Sequence, residues 1–248
     1  MGVCWSTEHN PTIYDNNQSI NEFKYLHDFT IKNLKDGTRY YVRAYATNDC
    51  GTIYGEELTF KTKPASGTLN GHKWVDMGLP SGLKWATCNV GASSPEDYGN
   101  YYQWGMTYTQ SYYDSYYCTT YKKDIKVFSG NPTYDVARNK WSSTWRVPTY
   151  WEMRELKNEC TWVWTTVNGI NGYKVTGPNG NSIFFPAAGY KDGGSNIGRN
   201  VQLRYWSSTP NGDENHYYGA DMDLNTDKED WGWDLARYYG ETVRPVTD

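Results

Sequence analysis

Apolar and polar positions alternate over short stretches in the first part of the chain, which is typical of half-buried β-strands. In Arg39–Thr47 every second residue from Tyr40 to Ala46 is apolar, so we expect one covered and one exposed face. The sequence predicts further strands at Gly2–Ser6, Phe23–Leu34 and Ile53–Thr62. Turn residues predict breaks between them at Asn10-Pro11, Asp15-Asn16-Asn17, Asp36-Gly37 and Asp49-Cys50-Gly51.

A linker is predicted at residues 64–69, where Pro, Ala, Ser, Gly and Thr follow one another. It divides the chain into a β-rich part, residues 1–63, and a second part, residues 70–248. In the second part Thr149 and Glu152 form a capping box, and Met153, Leu156 and Cys160 then make one apolar stripe, which predicts a helix. Ser94–Asp97 also has the pattern of a helix start.

A β-meander is predicted after this helix. Its strands are Thr161–Val167, Gly172–Gly177 and Ser182–Pro186. Asn-Gly pairs at 168–169, 171–172 and 179–180 separate them, and Asn-Gly is the strongest short hairpin signal. Several more strands are expected between Val201 and Val246.

Composition narrows the function classes. Among 248 residues, 24 Lys plus Arg and 28 Asp plus Glu give a net charge of −4, which disfavours a nucleic-acid partner. No apolar run reaches the roughly 18 residues of a membrane helix. The chain has 24 Tyr, 12 Trp and only 6 Phe, so most of its rings carry a polar group that suits contact surfaces.

Tyr, Trp, Asp, Asn and Gly are concentrated between Asn215 and Glu241, a mixture that resembles a paratope. In Gly219–Leu224 the alternation predicts one apolar face and, opposite it, outward-facing Asp221 and Asp223. The alternative is that about half of these rings pack in the core. The predicted ligand-binding residues are His216, Tyr217, Asp221, Asp223, Asp230, Trp231, Trp233, Asp234, Tyr238, Tyr239 and Glu241.

No cofactor is predicted, although calcium is an alternative. Oxygens for calcium could come from Asp221, Asp223, Asn225, Asp227 and Asp230, but solvated acidic strand faces are commoner. The five cysteines form no C-x-x-C pair and indicate neither a zinc site nor a disulfide framework. None of the four histidines lies in a hydrolase motif.

The first part resembles a fibronectin type III domain. The residues that carry the resemblance are Leu34, Gly37-Thr38, Tyr40, Val42, Ala44, Asn48, Gly51 and Phe60-Lys61-Thr62. Tyr40 occupies the place of a tyrosine corner, and the first strand of the sandwich is missing. The resemblance implies an incomplete all-β sandwich that acts as a spacer.

The second part resembles the major paralogous domain of fibrobacters and related gut bacteria. The matching blocks are Asn70–Ala92, Tyr98-Gly99, Tyr102–Gly105, Trp145–Thr149, Phe185–Tyr190, Tyr205–Thr209 and Val243–Val246. That family is similar to the C-type-lectin fold and to formylglycine-generating enzymes. The resemblance implies an α+β C-type-lectin-like domain with few short helices and many short strands.

The resemblance implies a surface protein that binds a protein receptor or a surface glycan, outside the cell, on a bacterial surface or a phage virion. Some members are variable proteins diversified by retroelements at asparagine codons. Trp231, Trp233 and Glu241 cannot arise from such a codon. An enzyme of the formylglycine-generating type needs a reactive cysteine pair late in the domain, whereas the last cysteine here is Cys160. The alternatives are a structural adhesion module without a soluble ligand and, less favoured, an enzyme.

Overall fold

A computed structural model describes residues 1–20, 28–142, 144–212, 214–225 and 235–248. Within these residues the chain is mostly β-sheet with two short helices, which confirms the predicted β-rich class. The chain divides into two compact units, Met1–Ala65 and Ser66–Asp248. None of the described helices is long and apolar enough to cross a membrane.

The first unit is an antiparallel sheet. Its strands are β1 (Gly2–Ser6), β2 (Asn16–Ser19), β3 (Arg39–Asn48), β4 (Gly51–Tyr54) and β5 (Leu58–Lys61). Their order in the sheet is β2-β1-β3-β4. Strand β5 pairs with the same edge of β3 as β4 does, but along the other half of that edge. The described residues of this unit thus form one sheet, where the sandwich prediction requires two.

Three details of the first unit differ from the predictions. Asn16 and Asn17, expected in a turn, lie in β2, because backbone pairing with β1 overrides their turn preference. The predicted strand Ile53–Thr62 is interrupted between β4 and β5. In the predicted strand Phe23–Leu34, residues 28–34 form no strand and the remainder lies outside the described residues.

Tyr40 is buried and its hydroxyl group accepts a hydrogen bond from the backbone N–H of Lys35, with 2.9 Å between the nitrogen and the oxygen. The ring also stacks on Phe60 at a centroid distance of 5.8 Å. A tyrosine that ties strand β3 to the backbone just upstream is the arrangement of a tyrosine corner.

In its described residues the second unit contains both helices and twelve strands. In chain order these are β6 (Ser66–Leu69), β7 (His72–Asp76), β8 (Lys84–Ala86), α1 (Val136–Trp141), α2 (Tyr150–Glu159), β9 (Thr161–Val167), β10 (Ile170–Thr176), β11 (Ser182–Pro186), β12 (Tyr190–Asp192), β13 (Ser195–Ile197), β14 (Gln202–Pro210), β15 (Tyr218–Asn225), β16 (Leu235–Ala236) and β17 (Val246–Thr247).

These strands form four small sheets. One is the predicted meander β11-β10-β9, and another is the hairpin β12-β13. The third has the order β14-β15-β16, and in the fourth the last strand joins the first three in the order β17-β8-β7-β6. The meander prediction is correct except at Asn171-Gly172, which lies inside β10 instead of separating two strands.

The last four residues of the predicted linker belong to a sheet, because residues 66–69 form β6 and pair with β7. Helix α2 begins as predicted, with both hydrogen bonds of the Thr149–Glu152 capping box present. The helix predicted at Ser94–Asp97 does not form. The Asp97 carboxylate instead accepts the backbone N–H groups of Ser93 and Ser94 and closes a turn.

Tryptophans form much of the core of the second unit. Trp85 packs with helix α2 and with strands β14 and β15 in one cluster, and Trp104, Trp145 and Trp206 lie in a second cluster. The indole N–H groups of these last three donate to backbone carbonyl oxygens at 2.8–3.0 Å. Trp145 and Trp206 are therefore core residues, as the packing alternative expected.

Candidate functional site

Five tyrosine rings form an unbroken chain of contacts in the second unit, which we call the tyrosine surface. The rings, in order of contact, are Tyr217, Tyr121, Tyr238, Tyr239 and Tyr190. Successive centroids are 5.3, 5.3, 4.7 and 5.4 Å apart. All five side chains are partly exposed. These ring contacts join three segments that are distant in sequence. They are the tyrosine-rich insertion Tyr108–Tyr121, strand β12 and the C-terminal segment between Asn215 and Glu241.

Arg237 positions one end of the tyrosine surface. The side chain is fully buried, and its guanidinium group lies 4.0 Å from the centroid of the Trp104 ring. The Nε atom donates to the carbonyl oxygen of Tyr218 at 3.0 Å, and Nη1 donates to that of Lys123 at 2.7 Å. One arginine thus holds both the strand that follows Tyr217 and the loop that follows Tyr121.

Gln103 positions the middle of the surface in the same way. Its buried amide nitrogen donates to the carbonyl oxygens of Asp114 and Tyr238, at 2.9 and 2.8 Å. The Cys118 thiol donates to the carbonyl oxygen of Arg237 at 3.3 Å. The insertion Tyr108–Tyr121 is therefore fixed to the C-terminal segment by buried hydrogen bonds.

The insertion Tyr108–Tyr121 both covers the core and flanks the site. Tyr113 is 2% exposed and packs against Tyr101 and Ala188, whereas Tyr121 lies in the tyrosine surface. Four other insertion tyrosines are exposed: Tyr108, Tyr112, Tyr116 and Tyr117.

Two phenol groups of the tyrosine surface, those of Tyr121 and Tyr239, have raised pKa values and are neutral near pH 7. Burial, together with the neighbouring Tyr238 and Tyr217 rings, raises the pKa of Tyr121. A hydrogen bond with Tyr238, together with burial, raises the pKa of Tyr239. The Lys122 ammonium lies 5.5 Å from the centroids of both Tyr121 and Tyr217. The surface therefore offers apolar ring faces, hydroxyl groups and the Lys122 ammonium group.

Asp221, Asp223 and Glu241 do not face outward, which corrects the predicted exposure of these residues. Asp221 and Glu241 are fully buried and Asp223 is 8% exposed. All three surround the guanidinium of Arg204: Asp221 lies 3.2 Å from Nη1, Glu241 lies 3.8 Å from it, and Asp223 accepts from Nη2. The polar face of strand β15 is covered as well as its apolar face, because Arg204 on strand β14 pairs with Asp221 and Asp223.

This carboxylate cluster lies beneath one end of the tyrosine surface, because Arg204 also packs against the ring of Tyr190, 5.2 Å from its centroid. Three carboxylates around one guanidinium carry an excess of negative charge. Burial raises the pKa of Asp221 to about 7 and raises that of Glu241 well above its ordinary value. Burial and the neighbouring Asp221 carboxylate raise the pKa of Glu241, so the pair favours binding a proton.

The remaining predicted residues divide into two groups. Tyr217, Tyr238 and Tyr239 lie in the tyrosine surface. His216 directly precedes Tyr217, and its carbonyl oxygen accepts a hydrogen bond from the backbone N–H of Lys122 at 3.1 Å. The other four lie outside the described residues: Asp230, Trp231, Trp233 and Asp234.

The sequence does not indicate Tyr190 and Tyr121 as members of the surface, nor Arg237, Arg204 and Gln103 as the residues behind it.

For calcium, the described residues include no group of three or more His, Cys, Asp or Glu side chains that could hold a metal ion. Asp221 and Asp223 pair with Arg204 instead, and Asp227 and Asp230 lie outside the described part of the chain.

Comparison of the chain with protein-family models, with curated proteins and with solved structures finds no match.

Proposed function

We propose that this chain is a non-enzymatic binding protein whose ligand contacts the tyrosine surface. The unbroken contact of five half-buried tyrosine rings from separate segments carries the proposal. Large rings with few rotatable bonds supply contact area at a low entropic cost, and their hydroxyl groups supply hydrogen bonds.

The buried support of the surface favours binding further. Arg237 and Gln103 fix the backbone on both sides of the rings, so little ordering remains to be done when a ligand arrives. A site that is ordered before binding loses less conformational entropy and binds more tightly.

The chemistry of three cysteines supports the non-enzymatic part of the proposal. Burial raises the pKa of Cys4 and Cys118, and it raises the pKa of Cys160 to about 11. These thiols are protonated at neutral pH, whereas a nucleophilic cysteine acts as the thiolate.

The partner that we propose is a protein receptor or a surface glycan. We place this protein outside the cell, on a bacterial surface or a phage virion.

The finer proposal for the architecture is a C-type-lectin-like second unit behind an incomplete fibronectin type III spacer. The many short strands and two short helices of the second unit, and the tyrosine-corner contact of Tyr40 in the first, support it.

A panel of immobilised glycans and purified surface proteins tests the binding proposal. The Tyr217→Ala/Tyr238→Ala variant should lose the contacts that the wild type makes, while Trp151→Ala, an exposed aromatic on α2, should keep them. Both variants must first show the wild-type circular dichroism and unfolding midpoint. Failure of the wild type to bind any member would favour the structural adhesion module.

We also propose that the positions of the tyrosine surface vary as in retroelement-diversified proteins. His216, Tyr217, Tyr238 and Tyr239 belong to residue types reachable from asparagine codons by changes at adenines. Deep sequencing of the gene in a natural population should find changes at these codons and an unchanged codon for Asp221, because Asp221 is buried. Even drift across the segment would contradict diversification.

A further inference from the structure

Two adjoining cavities lie in the second unit, on elements that contribute nothing to the tyrosine surface. One cavity, of about 580 Å³, is lined by His72, Lys73, Cys88 and Trp141 among others. The second, of about 370 Å³, is lined by residues of β9, β10 and β11, including Lys174 and Phe184. Thr87 and Pro95 line both cavities, so the two adjoin, and we call the pair the lysine cleft. Its size is that of a small-molecule site.

The lysine cleft carries positive charge. Lys73 and Lys174 are exposed, and neither ammonium group has a hydrogen-bond or ion-pair partner among the described residues. The described lining residues include no carboxylate, although the chain as a whole has a net charge of −4.

The two acidic side chains nearest in sequence to Pro95 are engaged elsewhere. Glu96 accepts a hydrogen bond from the side-chain amide of Asn168 at 2.7 Å. Asp97 accepts one from the hydroxyl group of Ser93 at 2.8 Å. Neither carboxylate pairs with Lys73 or Lys174 in the described part of the chain.

A buried cation lies directly behind the wall of the lysine cleft. Arg244 is fully buried, and its guanidinium donates to the carbonyl oxygens of Thr87 and Phe184 at 2.8 and 3.0 Å. Its other acceptors, Asn89 Oδ1 and the Ala86 carbonyl oxygen, are neutral as well. No described carboxylate pairs with Arg244. A buried charge without a counter-ion is costly, and an anion in the cleft would partly compensate it.

The walls of the lysine cleft also offer apolar and hydroxyl groups. The His72 imidazole stacks on the Trp141 indole at a centroid distance of 3.7 Å and an interplanar angle of 9°, and Phe184 lies in the second cavity. Thr165 and Ser182 line that cavity with hydroxyl groups. We propose that the lysine cleft binds a small organic anion, with its carboxylate or phosphate toward Lys73 and Lys174 and its body against these rings.

Titration of the whole chain with three anions, benzoate, glucuronate and glucose 6-phosphate, tests this site. At least one anion should shift the backbone amide resonances of Thr87, Lys73 and Lys174 saturably, more tightly than neutral benzamide or glucose. The Lys73→Gln/Lys174→Gln variant should bind it roughly three- to tenfold more weakly. Lys61→Gln, an exposed lysine of β5, should bind it as the wild type does. Absence of saturable shifts with all three anions, or equal binding by the double variant, would overturn the proposal.

Alkylation of Cys88 provides a second measurement with an internal control. Anionic iodoacetate and neutral iodoacetamide differ mainly in charge, and Cys50 is an exposed thiol in the first unit. The ratio of the iodoacetate rate to the iodoacetamide rate should be higher at Cys88 than at Cys50, and Lys73→Gln/Lys174→Gln should lower it. An equal ratio at the two cysteines, or a Cys88 that neither reagent modifies, would contradict an open cationic cleft.

Discussion

Arg237 shows how a single buried residue can define an exposed surface. Its guanidinium packs on Trp104 and donates to carbonyl oxygens in the two segments that carry Tyr217 and Tyr121. A lysine could supply the charge but not the planar fork that reaches the Tyr218 and Lys123 carbonyl oxygens together. The tyrosine side chains contact a ligand, in our account, and Arg237 keeps them in place.

Replacement of Arg237 by Met should therefore destabilise the second unit by about 3 kcal/mol, because buried carbonyl oxygens would lose their charged donor. Arg237→Lys should be intermediate. The free energy of unfolding in urea measures both changes. Lys126→Ala, at a largely exposed ion pair, should change it by less than about 0.5 kcal/mol. A small effect of Arg237→Met would show that the guanidinium does not hold these segments.

Glu241 makes the stability of the second unit depend on pH. The folded-state pKa values of Asp221 and Glu241 lie above their unfolded values because burial disfavours the charged forms. The folded state thus binds more protons, so stability falls as the pH rises from about 4 through 7. Glu241→Gln mimics the protonated form, and we expect a flatter dependence and greater stability than the wild type at pH 8.

Urea unfolding of both proteins between pH 5 and pH 8 checks this expectation. The wild type should lose a few kcal/mol over that range, which is the order of magnitude of a buried carboxyl with a strongly raised pKa. Parallel curves for the wild type and Glu241→Gln would contradict a raised pKa of Glu241 in the folded protein.

At the scale of elements, helix α2 depends on its capping box. Thr149 accepts the backbone N–H of Glu152, and Glu152 in turn accepts the N–H of Thr149 and pairs with Arg146. Thr149→Ala should cost about 1 kcal/mol of stability, and Thr149→Ser should restore most of it. Thermal unfolding of the two variants measures the difference, and equal losses would show that the hydroxyl group contributes nothing.

Local patterns in the sequence predict the elements whose formation depends on near neighbours. The capping box and two of the three Asn-Gly turns are examples. Strand β3 also forms where the alternation predicts a strand, but Ala44 and Ala46 of its predicted covered face are exposed. The outward prediction for Asp221 and Asp223 is wrong for a physical reason. Alternation distinguishes the two faces of a strand, but it cannot show that both faces are covered. Here an arginine on the neighbouring strand β14 pairs with the polar face of β15 and covers it.

The tyrosine surface could be predicted only in part for the same reason. Tyr217, Tyr238 and Tyr239 share one segment with a recognisable composition, so the sequence indicates them. Tyr121 and Tyr190 join them through contacts that span long sequence separations, which no local pattern records. Arg237 and Arg204 are buried cations whose roles depend on which carbonyl and carboxylate oxygens the fold brings near.

At the scale of the whole molecule, every element of the tyrosine surface and of the lysine cleft belongs to the unit Ser66–Asp248. We therefore expect residues 66–248 expressed alone to fold and to keep any ligand affinity within about twofold, or about 0.4 kcal/mol, of the whole chain. Circular dichroism and the affinity for the same partner measure this. A soluble, folded fragment without affinity would assign binding to the first unit.

The measurement that tests the central claim most directly is the affinity of the strongest partner from the glycan and protein panel for three variants of the whole chain. Tyr238→Ala should weaken binding by at least about 2 kcal/mol, as expected for a central aromatic anchor. Tyr238→Phe should retain much of the affinity, and Trp151→Ala should match the wild type. Unchanged affinity in a folded Tyr238→Ala protein would contradict the account and place the binding site elsewhere.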